Sequence, residues 1–75
     1  MSYTYVRINV KHLDGKWRKR NCKHGSYSEN KKYAKELVEM FAHFLNKGNL
    51  LGYTVSVVTT TRNAEYKDVI GTEVM

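Results

Sequence analysis

A chain of 75 residues with 41% hydrophobic and 27% charged side chains and no proline suits one folded domain, because so short a chain buries only about 60% of its unfolded surface and has no material for a second core. No apolar run approaches the roughly 18 residues that span a bilayer, the first ten residues lack the apolar stretch of an export signal, and the single cysteine, Cys22, excludes the internal disulfides that brace small secreted domains, so a cytoplasmic setting is expected. The net charge of +6 is uneven, with ten Lys/Arg against two acids in residues 1–35 and three against five in residues 36–75, an imbalance that favours an anionic partner.

Tyr3 to Val10 alternates apolar and polar side chains, the period of a half-buried strand. Asp14-Gly15 reads as the centre of a two-residue hairpin turn, because both central positions of that turn need positive φ. The return strand then runs from Lys16 to Cys22. Ser26 to Glu29 is an S-x-x-E capping box that opens a helix. From Ala34 to Leu45 apolar residues recur at three- and four-residue steps, and Asn46-Lys47-Gly48-Asn49 closes the helix. Lys32/Glu36 and Lys35/Glu39 are placed for i, i+4 pairing on its wet side. Tyr53 to Thr61 reads as a third strand and Glu65 to Ile70 as a fourth. The domain is therefore expected over residues 1–70, with 71–75 as a flexible tail.

The order strand, strand, helix, strand, strand predicts an α+β two-layer sandwich, a mainly antiparallel four-stranded sheet with one helix on one face. The other face is left for water, a second copy or a partner. A two-residue Asp-Gly turn pairs Lys11 with Arg18, His12 with Trp17 and Asn9 with Arg20. That register puts Tyr3, Tyr5, Arg7, Lys11, Lys16, Arg18 and Arg20 on the open face, and His12 and Trp17 on the helix side. Such a face can neutralise phosphates through its cations and stack bases on its tyrosines. Lys23, Lys31 and Lys32 flank the helix start, where free N–H groups also favour anions.

Other chemistries find little support. Cys22 and His24 stand two apart with no second cysteine, so a zinc site would need His12, His43 or acids to converge. The glycines are scattered singly, without a phosphate loop. No cofactor, metal or catalytic group is expected.

The stretch from Tyr5 to Ala34 resembles, in layout, the small arm-binding, AP2-like modules at the N-termini of phage and transposon integrases. The shared features are Asp14-Gly15-Lys16, the basic run Trp17-Arg18-Lys19-Arg20 and the helix opening Lys31-Lys32-Tyr33-Ala34. The resemblance implies DNA reading by the sheet, with Arg7, Lys11, Arg18 and Arg20 on the groove. Here Tyr27-Ser28-Glu29 replaces the family's aromatic-x-threonine, and the strands after Gly52 have no counterpart.

The sequence thus leads to a non-enzymatic nucleic-acid-binding protein, DNA or RNA, expected to act as a dimer because its core is small. The rival is a compact inhibitor or adaptor of the kind carried by phages and mobile elements, which docks its basic surface on an acidic patch of a host protein or nucleoprotein complex.

Overall fold

The computed structural model describes residues 2–75 and, among their side chains, all but that of His24. Met1, the first residue of the expected domain, and the side chain of His24, weighed with Cys22 as a metal ligand and set aside, lie outside what is described. The elements are β1 (Tyr3–Lys11), β2 (Trp17–Gly25), α1 (Tyr27–Asn46), β3 (Gly52–Thr60) and β4 (Glu65–Val74). They form the α+β two-layer sandwich read from the sequence, with an antiparallel sheet in the order β2-β1-β3-β4. No described helix is long and apolar enough to cross a membrane.

The first hairpin departs from expectation by one residue. The Gly15 N–H donates to the His12 carbonyl, and the His12 N–H donates to the Lys16 carbonyl, each at 2.9 Å. The loop is therefore three residues, Leu13-Asp14-Gly15, with Gly15 in the left-handed region at φ +84°. Asp14 does not share that conformation, since Lys23 is the one non-glycine residue at positive φ among those described. A three-residue loop that ends on a left-handed glycine is the common alternative to the two-residue turn. The Asp14 carboxylate supports it by accepting the Lys16 N–H at 2.9 Å.

The extra loop residue changes the register. Lys11 faces Trp17, Val10 faces Arg18, Asn9 faces Lys19 and Ile8 faces Arg20. Because strand side chains alternate with period two, a one-residue slip turns every side chain of β2 to the opposite face. Nearer its end β2 carries a bulge at the Tyr5/Val6 step, where Lys23, at φ 57°, is the additional residue.

Val6, Ile8, Tyr53, Val55 and Val57 project from the central strands into a core with Ala34, Leu37 and Leu45 of α1 and with Leu50. The helix starts as read: Ser26 Oγ accepts the Glu29 N–H at 3.2 Å and donates to its carboxylate at 2.9 Å. It ends with Asn49 N–H on the Phe44 carbonyl and Gly48 N–H on the Leu45 carbonyl, Gly48 lying at φ +76°. Neither expected lysine–glutamate pair on the wet side closes. Among the described residues the ion pairs are Arg7–Glu65 and Arg18–Asp14.

Residues 71–74 are not a tail. They continue β4 and pair with Val55 back to Gly52, and the Met75 N–H donates to the Leu51 carbonyl at 2.9 Å. Gly71 reads as a strand breaker, yet it sits beside a register shift in the β3–β4 ladder, directly beneath Val38 of α1. The backbone there pairs because β3 offers it a continuous ladder.

Candidate functional site

The shifted register divides the cations expected on one open face. Arg7 and Lys11 stay on the face away from α1, with Tyr3 and Tyr5. Arg18 and Arg20, opposite Val10 and Ile8, project on the helix side. Trp17, expected beside the helix, lies instead on the outer face, with its ring edge 3.4 Å from where a Cβ on Gly52 would stand. A continuous basic sheet face built from Arg7, Lys11, Arg18 and Arg20 does not exist in this fold.

The outer face is also more self-contained than expected. The Arg7 guanidinium donates to the Tyr5 hydroxyl at 2.8 Å, lies 5.6 Å from the Tyr5 ring centroid and pairs with Glu65 at 3.2 Å. Tyr3 stacks on Tyr5 with centroids 5.8 Å apart, and Tyr5 is only 7% exposed. Arg7 and Tyr5 are thus partners of each other before any ligand arrives.

Around the helix start the three lysines are not gathered into one site. Lys31 holds its ammonium 5.8 Å from the Tyr27 ring, Lys32 is exposed on the second turn, and Lys23 occupies the bulge of β2. The Tyr27 hydroxyl donates to Asp68 on β4, and this hydrogen bond to a carboxylate holds the phenol above its ordinary pKa.

A recess lies on the helix side, between β2 and α1. A cleft of about 570 Å³ has Ile8, Val10, Cys22, Leu37 and Phe41 as its floor. Met40 and Tyr33 form the helix wall, and Arg18, Arg20, Lys19 and His12 form the strand rim. Lys19 belongs to this rim by its place in β2 between the two arginines, while its pairing with Asn9 starts its side chain on the other face. No acid lines the cleft. Arg18 is tethered to Asp14 at 3.0 Å, but both side chains are about half exposed, so water screens the pair and the tether is loose. Arg20 takes part in no ion pair among the described residues.

The cleft exists because one helix is narrower than the sheet. The molecule is 22 Å wide across its middle dimension, and an α-helix with its side chains is about 10 Å across. In the sequence, α1 carries more apolar residues than one sheet contact uses. Tyr33, Leu37, Met40 and Phe41 continue the stripe round toward β2, and Met40 is left 42% exposed. That excess breadth was the signal for these four residues, of which the sequence reading placed Leu37 and Phe41 in the core stripe and did not single out Tyr33 or Met40.

Cys22 lies at the inner end, its thiol donating to the Tyr33 hydroxyl at 3.9 Å. The neighbouring Cys22 sulfur, and after it burial, hold the Tyr33 phenol above its ordinary pKa. Among the described residues no three His, Cys, Asp or Glu side chains stand close enough to hold a metal ion.

Comparison with known proteins finds no matching family model, no matching curated protein and no matching solved structure.

Proposed function

We propose that this chain is a non-enzymatic adaptor or inhibitor that docks the β2 side of its sheet on an acidic surface of another protein. The observation that carries the reading is the cleft itself: the guanidinium groups of Arg18 and Arg20 along one wall, apolar and aromatic side chains along floor and opposite wall, and no acid between them. Anchored protein interfaces combine these ingredients, with arginine and aromatic side chains giving most of the energy. A phosphate backbone would use the cations but leave Met40 and Phe41 without a counterpart.

Nucleic acid is the second reading, favoured by the position of cations on both faces of the edge strand, Lys19 on one and Arg18 and Arg20 on the other. An exposed edge carrying charge on both sides suits a DNA major groove of about 12 Å, where a phosphate row flanks each wall.

Affinity capture from nuclease-treated lysate, with a photo-crosslinker in place of Met40, separates the two. A stoichiometric protein that crosslinks and is lost with Arg18→Glu/Arg20→Glu supports docking on protein. Complete loss of partners on nuclease treatment, with a steep salt dependence for pure duplex DNA, would replace this reading with the second.

A further inference from the structure

We infer that the β2–α1 cleft is the seat of a second helix, supplied by the partner protein, amphipathic and acidic along the flank that faces β2. This rests on the docking function proposed above and names what the partner brings.

The uncovered area lies on the face of the sheet, not at its edge. Val10, Cys22, Tyr33, Phe41 and Met40 are the apolar groups still partly open to solvent there. A peptide added as a fifth strand beside β2 would satisfy edge backbone groups but would leave this floor wet. The edge itself is guarded against strands by Lys19 and by the bulge at Lys23. A helix laid beside α1 would cover the floor instead, since helices pack about 8–10 Å apart and the sheet has that width to spare. Between Tyr33 and Phe41 α1 offers two turns of wall, enough to accept apolar anchors spaced i, i+3/i+4, i+7.

Charge decides the partner's chemistry. With Arg18 and Arg20 along one rim and no acid in the lining, a helix with glutamates or aspartates on its β2-facing flank gains pairing where a basic one meets repulsion.

The test uses the full 75-residue chain and a labelled synthetic peptide of about 15 residues, with leucines at i, i+3, i+4 and i+7 and glutamates on both flanks. Anisotropy is expected to report binding that weakens at least about tenfold with Met40→Glu and with Arg20→Glu. Both residues are exposed, so each variant should keep the wild-type circular dichroism and melting temperature. Amide shifts on peptide binding should centre on Arg18, Arg20, Cys22, Leu37, Met40 and Phe41, and peptide at saturation should slow iodoacetamide alkylation of Cys22.

Equal binding of a lysine-flanked peptide with the same leucines would overturn the inference. So would shifts centred on Tyr3, Arg7 and Trp17, or saturation of the same residues by a second copy of the chain or by duplex DNA alone. If the peptide fails while nuclease-resistant protein capture still depends on Arg18 and Arg20, the helix inference falls and the docking function stands. If both fail, both fall.

Discussion

Val10 and Arg18 stand directly opposite each other across the β1–β2 ladder. An apolar residue that faces the core is thereby paired with a guanidinium, and the pairing carries the arginine onto the side of the sheet occupied by α1. Arg20, opposite Ile8, follows it. The position of these two cations depends on the hairpin loop more than on the strand that bears them.

The two faces should consequently respond independently. Arg20→Glu is expected to reduce partner affinity at least about tenfold, while Lys11→Glu, on the far face, changes it less than about threefold. Isothermal titration against the captured partner, or against the acidic peptide, measures both. Equal losses would place the interface across both faces.

Gly15 closes the loop at φ +84°, where a Cβ meets no neighbour but the backbone itself is unfavourable. Gly15→Ala is expected to cost about 1–2 kcal/mol in urea unfolding, and Gly15→Asn distinctly less, because asparagine tolerates the left-handed region.

At the other side of the sheet, a Cβ on Gly71 would lie 2.7 Å from both methyl carbons of Val38. Gly71→Ala should therefore destabilise the protein by about 1–3 kcal/mol. Val38→Ala in the same chain is expected to recover part of that loss, and a double-mutant cycle with no coupling would contradict the close approach.

The hairpin tip should soften in acid. The Lys16 N–H, and after it the Arg18 charge, hold the Asp14 carboxyl below its ordinary value of 3.8. A carboxyl depressed on folding stabilises the fold fully above its unfolded pKa, and that contribution fades as pH falls through 3.8 toward the folded value. Amide shifts of Gly15 and Lys16 followed between neutral and acid pH should show the transition, and Asp14→Asn should abolish it.

Tyr53 gives the opposite sign. Burial, and then its hydrogen bond to Glu73, raise the phenol above 10.0. Its stabilising effect is complete below that pH and is lost as pH rises through the elevated folded value. Absorbance at the phenolate band should show Tyr53 ionising late, accompanied by unfolding, whereas Tyr53→Phe moves the alkaline midpoint upward.

Element order, the capping box, the glycine-terminated helix and the core alternation of β1 and β3 were legible because each is a local pattern with a local cause. The register of β2 was not. Asp14-Gly15 is compatible with a two-residue and a three-residue loop, and the apolar content of β2 was too low to decide, since Trp17 and Cys22 call for opposite faces. Arg18, Arg20 and Trp17 were misplaced together for that one reason. The end of β4 was hidden because Gly71 looks like a breaker until Val38 is seen above it. The cleft was half legible: its cations stand out in the sequence, but their apolar neighbours on α1 looked like ordinary core.

The length of the Leu13–Gly15 loop acts as a parity switch. A chain with the same composition and one residue fewer at the tip would display its guanidinium groups on the opposite surface, beside Tyr3 and Arg7 rather than Met40 and Phe41. Among small basic hairpin proteins, then, loop length modulo two carries recognition information that total charge does not, and engineering a new partner could begin with an insertion instead of a substitution.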